Sequence, residues 1–296
     1  MDHRDIIASL TAEQRASLTE RSDFRGLAHL ALHWGLILLL GVLIALQVPY
    51  WWALMLPQGV LVVFLFTLLH EAVHKTPFRS EGLNTLAARV SGFLLFLGPD
   101  WFRYFHFAHH RHTQDPDNDP ELSEPKPETV WQYAVHVSGL PVYWSEIAGL
   151  VRNALGRGQA AYIPAKGEAK VQREAIVMLA LYGLMALGSI ALGTTLLVWV
   201  WIVPMLLGQP FLRLYLLAEH GRCPFVANML ENTRTTATNR IVRLIAWNMP
   251  YHAEHHSYPA VPFHKLPEFH AIVAAHLKET ERGYARFNAK YVATLN

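Results

Sequence analysis

Two long stretches of this chain, residues 26–74 and 174–212, contain no lysine or arginine. Together they hold only two acids, Glu71 and Glu174, each near an edge. All 25 Lys and Arg of the 296 residues lie elsewhere. A bilayer core of about 30 Å is crossed by about 20 mostly apolar helical residues, so each stretch is long enough to cross twice. The first divides at VPYWW, where Pro49 interrupts the run and Tyr50, Trp51 and Trp52 form an interfacial belt. The second divides at Gly193-Thr194-Thr195. The expectation is an all-α membrane protein forming one domain over residues 1–296. Its four transmembrane helices make two hairpins, at about residues 27–47, 51–70, 175–192 and 195–218. Pro57, Pro204 and Pro210 are expected to kink these spans.

Lysine and arginine concentrate in residues 1–26, 71–174 and 219–296, and four spans place all three segments on one side. By the positive-inside rule that side is the cytoplasm. Residues 86–98 are apolar but too short to span upright, and read as an interfacial or re-entrant helix. Residues 131–152 read as one amphipathic helix lying on the membrane, and residues 115–128 as a loop rich in proline and acid. The N-terminal MDHRDIIASLTAEQR is polar with both charge signs, unlike a cleaved secretory signal. A net charge of +2 gives no reason to expect a nucleic acid partner. One cysteine, Cys223, leaves no internal disulfide and no cysteine-based metal site.

Histidines carry the candidate chemistry. The chain has 17, and eight fall in three clusters. HEAVH supplies His70 and His74, HFAHH supplies His106, His109 and His110, and HAEHH supplies His252, His255 and His256. On a helix, positions i, i+3 and i+4 share one face. At this histidine content, two chance copies of H-x-x-H-H have odds of roughly one in several hundred. The topology puts all eight, and His220 at the end of the fourth span, on the same side of the membrane. HEAVH alone matches the zinc-peptidase pattern, with Glu71 as base. A peptidase zinc takes three protein ligands, whereas eight or nine imidazoles suit two ions. Imidazole alone does not select the metal.

The boxes H-x3-H, H-x2-H-H and H-x2-H-H, in this order around a second hairpin, resemble those of the integral-membrane fatty acid desaturase/hydroxylase superfamily. The stretches RYFHFAHHRHTQDPDNDPEL and WNMPYHAEHHSYPAVPFHKLP are similar to bacterial members of the dihydrorhizobitoxine desaturase-like group. The resemblance implies two non-haem iron ions with O2 as co-substrate. It implies as ligands His70, His74, His106, His109, His110, His252, His255 and His256, with His220 as a further one. Some members place a polar, water-holding residue one turn before that further histidine. Leu216 stands there in this chain, leaving Asn248 as the substitute. Glu71, His112, Asp115, Asp117 and Asp119 are candidate hydrogen-bond partners of the ligands. The implied reaction is desaturation of an acyl or small amphipathic, lipid-like substrate in a bacterial inner membrane, with the site facing the cytoplasm. Hydroxylation and alkene-forming decarboxylation share the boxes. With one cysteine and no haem-binding domain, electrons must come from a separate ferredoxin, rubredoxin or cytochrome. Two other classes stay open: an intramembrane zinc peptidase, and a metal transporter or sensor.

The remaining polar residues take simpler readings. His29 and His33 are expected to pack or hydrogen-bond within the fold, and His136, His264, His270 and His276 to be surface or capping residues. Arg213, the one basic residue within an apolar block, pairs with Glu219 or a headgroup, or holds a substrate carboxylate. Trp101, Phe102 and Tyr104 are candidate substrate-tunnel residues.

Overall fold

The computed structural model describes residues 2–296. Two short helices, α1 (His3–Ser9) and α2 (Ala12–Leu18), open the chain, each started by a capping box, from Asp2 and Thr11. The first hairpin is α3 (Asp23–Ala45) followed by α4 (Trp51–Val63) and α5 (Leu65–His74), which are nearly continuous and separated at Phe64. Next come α6 (Glu81–Leu94) and α7 (Pro99–His112), then α8 (Val130–Ser138) and α9 (Leu140–Ala154). The second hairpin is α10 (Ala165–Ala191) and α11 (Val203–His220), the latter entered through a π-helical turn at Val198–Ile202. The C-terminal segment holds α12 (Met229–Asn232), α13 (Arg240–Ile245), α14 (His252–Ser257), α15 (Leu266–Val273) and α16 (Tyr284–Val292). Its strands β1 (Thr235–Ala237) and β2 (Thr280–Arg282) pair in parallel, with Thr235 opposite Thr280.

Among the described residues, four helices are long and apolar enough to cross a membrane: Ala12–Ala45, Trp51–His74, Ala165–Ala191 and Val198–His220. The protein is an all-α integral membrane protein, as the charge-free stretches required. Leu38, Leu184 and Ile190 lie exposed on the spans, where lipid covers them. Two expectations need correction. The surface helix expected over residues 131–152 is two helices, because Gly139 takes φ +68 and ends α8. The short apolar helix begins earlier, at Glu81, and ends at Leu94. Trp131 on α8 and Trp144 on α9 are 76% and 78% exposed, as an interfacial face requires.

The two hairpins join where α4 crosses α11 with no side chain between them. A Cβ on Gly59 would sit 1.8 Å from the Pro204 carbonyl oxygen, and one on Gly208 2.2 Å from the Gly59 carbonyl carbon. Small residues permit this backbone approach in lipid, where packing has to replace the hydrophobic effect. The crossing matters to the site because α5 continues α4, and α5 and α11 carry histidines at their far ends. α7 is anchored separately. Glu174 on α10 accepts from the Asp100 and Trp101 backbone amides, at 2.9 and 3.3 Å, and so caps the α7 N-terminus. Arg89 bridges Glu174 and Asp100, at 3.1 and 2.9 Å, and holds that junction together. A Gly208→Val substitution should force α4 and α11 apart, costing roughly 1–3 kcal/mol or more by overpacking. Thermal unfolding in detergent, with metal content measured in parallel, should show both falling.

Candidate metal centre

The polar ends of α5, α7, α11 and α14 meet below the hairpins, and each brings imidazoles. Box one places His70 and His74 on one face of α5. Box two places His106, His109 and His110 on the last turns of α7. Box three fills α14, and His220 is the last residue of α11. Ligand atoms of His70, His106, His110 and His255 lie within 4.8 Å of one another, as do those of His109, His220 and His256. The two groups touch through His110 and His256, whose rings stack 4.0 Å apart at 7°. His74 and His252 complete the shell, with His74 Nε2 2.7 Å from His106 Nε2 and His252 Nε2 3.1 Å from His220 Nε2. All nine histidines expected as ligands therefore enclose one volume.

Their outer nitrogens show how the rings are aimed. His109 Nδ1 is 2.9 Å from Asp119 Oδ1, and Asp119 Oδ2 also accepts from the Gln114 amide at 2.8 Å. His255 Nδ1 faces Glu71 Oε1 at 3.6 Å. The other Glu71 oxygen is held by Thr76 Oγ1 at 2.7 Å and approached by the Phe263 amide at 3.4 Å. His252 Nδ1 faces Glu219 Oε1 at 3.3 Å, His256 Nδ1 lies 3.1 Å from Thr113 Oγ1, and His220 Nδ1 is 3.4 Å from the Asn232 carbonyl. Five of the nine rings, those of His109, His220, His252, His255 and His256, thus have a polar group beside Nδ1 outside the cage, an arrangement that orients metal-bound imidazoles. α14 is oriented from behind. Its Glu254 accepts from Thr235 Oγ1 at 2.5 Å and makes a short contact with His270 Nδ1.

The inner nitrogens test whether a metal fits. His255 Nε2, His256 Nε2 and both nitrogens of His110 are buried with no hydrogen-bond partner. Leaving such groups unsatisfied costs about 1–3 kcal/mol each. A cation in the cage would satisfy the one lone pair that each neutral imidazole offers. Burial depresses the pKa of His106, His110, His252, His255 and His256 well below the usual imidazole range, and neighbouring imidazoles add to this. They are neutral and therefore ready to ligate. His109 differs. Burial lowers it, but Glu121 and Asp119 outweigh that and raise it.

Other expected site residues fall elsewhere. Asp117 is exposed and Asp115 partly exposed, and Asp115 accepts from Asn118 Nδ2 of its own loop at 2.8 Å. His112 is partly exposed, 3.7 Å from Asp115. Asn248 sits at φ +58 and donates to the Phe263 carbonyl at 3.0 Å, which pins a turn. Tyr104 packs its hydroxyl against Gly167 at the start of α10. Trp101 and Phe102 line a cavity of about 270 Å³ that opens onto His70, His106, His109 and His252. Arg213 lines the same cavity and makes no ion pair with Glu219, which instead faces His252. His136, expected at the surface, also lines it, with a buried Nε2 that has no partner. His270 contacts the buried Glu254 rather than capping a surface helix. His29 and His33 pack within the fold, with Nε2 atoms 2.7 and 2.9 Å from the Leu244 and Leu61 carbonyls.

Glu219, Glu121 and Thr113 were missed. Glu219 had a signal: an acid beside a histidine at the foot of a span is a functional candidate in its own right. Glu121 reaches inward instead, with Oε2 3.3 Å from His109 Nε2 and Oε1 2.5 Å from Lys126. Burial would raise Glu121, but Lys126 and His109 hold it well below the usual carboxylate range.

Asp119→Ala should weaken metal binding roughly 10–100-fold while leaving the fold intact, measured by competitive chelator titration. Acid should destabilise the metal-free protein. Five imidazoles have folded pKa values below the unfolded 6.5, so the unfolded state binds more protons as pH falls. Their stabilisation is complete above pH 6.5 and declines below it. Denaturation midpoints of the metal-free protein between pH 8 and pH 5 should fall with pH, and metal loading should shift that fall to lower pH.

The family model for fatty acid desaturases matches residues 47–288. The dihydrorhizobitoxine desaturase of Bradyrhizobium elkanii is 25% identical over 272 aligned residues, covering 81% of this chain and 72% of that protein. The matched range includes every histidine of the cage, and iron dependence is general among such desaturases. The chain belongs to the fatty acid desaturase family and is a desaturase-type oxidoreductase of the membrane.

Proposed function

We propose that this protein is an O2-dependent di-iron desaturase whose two irons are held by His70, His74, His106, His109, His110, His220, His252, His255 and His256. The observation that carries this reading is the division of inward-facing imidazoles into two adjacent groups, each compact enough for one ion. Bound there, a pair of irons supplies oxygen activation and hydrogen abstraction from an unactivated C–H bond. The chain itself does the rest. Asp119 holds the ring of His109 by a hydrogen bond, and Glu71 and Glu219 face the rings of His255 and His252. Phe66, Phe102 and Phe105 line the approach to the cage and exclude water from it.

Desaturation removes two hydrogens and two electrons from substrate. With two further electrons and two protons, one O2 becomes two waters. The lone Cys223 is buried and builds no electron relay, so the electrons come from a separate donor protein, a ferredoxin, rubredoxin or cytochrome. Histidines at the ends of α5 and α11, on the lysine- and arginine-rich side, favour a site that faces the cytoplasm from an inner membrane. The peptidase alternative needs Glu71 in the reaction space. Its carboxylate is instead held behind His255 by Thr76 and Phe263, and it does not line the cavity.

Purified protein should contain about two irons per chain, and His255→Ala should lose most of that iron. Metabolite and lipid profiles of expressing cells should show a product two mass units below its precursor that His255→Ala abolishes. A gain of sixteen would assign hydroxylation. One zinc per chain, with peptide cleavage abolished by Glu71→Gln, would reverse the proposal.

A further inference from the structure

The cavity has two chemically distinct ends. One is the imidazole cage. The other is built by Arg213 of α11, His136 of α8 and Glu146 of α9, with Lys126 at its edge. Arg213, Leu216, Leu217 and His220 follow at i, i+3, i+4 and i+7, so one face of α11 runs from the guanidinium to the cage. Seven residues cover about 10 Å of helix.

Arg213 lacks a partner. It makes no ion pair among the described residues, and its Nε is buried without a hydrogen bond. A basic residue inside a membrane span is costly, and one that remains faces a cavity or a counter-charge. Arg213 has the cavity. Glu124 and Glu219 line the same cavity, but neither forms an ion pair with Arg213, and Glu219 faces His252. Lys126 is taken up by Glu121 at 2.5 Å. Glu146 faces the same space, but burial pushes its carboxyl up to about 8 against the pull of Arg213, so at neutral pH it is a neutral donor. The guanidinium thus has no ion-pair partner, and its fork matches a carboxylate. A dianionic phosphate would need a second free cation.

We propose that Arg213 binds the free carboxylate of a short substrate, whose chain runs along Leu216 and Leu217 and presents its C–H bonds to the cage. This deepens the desaturase reading above and rests on it for the identity of the reaction. Size fits a short molecule. A volume of about 270 Å³ exceeds the roughly 150 Å³ that encloses a benzene ring. An extended chain advances about 3.5 Å per three bonds, so roughly eight or nine bonds span the distance from Arg213 to the cage. Arg213 is a positioning and specificity residue in this scheme.

The test is binding, measured by calorimetry on the full-length iron-loaded protein in detergent, with octanoate, methyl octanoate, octyl phosphate and palmitoyl-coenzyme A as probes. Octanoate should bind at least about tenfold more tightly than its methyl ester, since the ester cannot form the charged pair. Arg213→Gln should remove that preference with little change for the ester, and Arg213→Lys should keep part of it. Equal binding of acid and ester overturns the proposal, as does tightest binding of octyl phosphate or of the long thioester. The wild-type comparison needs no variant to fold. Repeating it with His255→Ala separates the two readings. Carboxylate preference in a wild-type protein that takes up no iron would defeat only the desaturase reading, whereas iron without carboxylate preference would defeat only the head-group reading.

Discussion

Nine imidazoles crowded into one buried volume are the constraint on which the rest of the structure depends. Neutral imidazoles aimed at one another gain little, and several of their nitrogens are left without any partner. Such a cluster persists only if packing elsewhere holds it together before an ion arrives. The means are visible. Backbones of α4 and α11 meet at Gly59 and Gly208, which fixes two of the histidine-bearing helices relative to each other. Glu174 caps α7, and Thr235 with His270 grips Glu254 behind α14. Each contact lies outside the cage, and each sets the direction of a helix whose end lies inside it.

Helix ends are suited to this task. A box at the foot of a transmembrane helix leaves the bilayer with its ring directions already set by the span. Box three has no span of its own. It occupies a six-residue helix, α14, that could not be stable alone. Its surroundings compensate. All six residues of α14 are buried, and Trp247 nearby is fully buried, donating to His33 Nδ1 at 3.1 Å. The two histidines of α3 therefore support the C-terminal segment, and the first span takes part in placing box three without contributing a ligand.

Much of this was legible in the sequence, for identifiable reasons. Absence of charge over residues 26–74 and 174–212 specifies spans because lipid tolerates little else. The box spacing specifies helix faces because i, i+3 and i+4 leave few alternatives. Long-range pairing was not legible. Three aspartates of one loop looked equivalent, yet only Asp119 turns inward, because Gln114 at φ +61 reverses the chain and donates to it. Asn248 matched a spacing argument, but its side chain holds Phe263. Glu121 and Lys126 were unremarkable members of a polar loop until folding placed them at the cavity mouth. Arg213 was noticed for its setting, but only the fold shows that Glu219 is turned away from it.

Charge balance also bears on the cage. The imidazoles contribute no charge, so each divalent ion brings two positive charges into a region of low dielectric. Such a charge is tolerable only when paired. Asp119, Glu71 and Glu219 lie against the outer nitrogens, and Glu121 lies against an inner one. These four carboxylates are the groups placed to answer the charge of metal bound in the cage, as the proposed function requires. Glu121 shares its charge with Lys126. Further along the cavity, Arg213 adds a guanidinium with no ion-pair partner. On the proposed reading, a carboxylate entering this cavity meets the guanidinium before it reaches the imidazoles. The order along α11, with Arg213 two turns ahead of His220, holds the carboxylate at a distance while bringing the C–H end near.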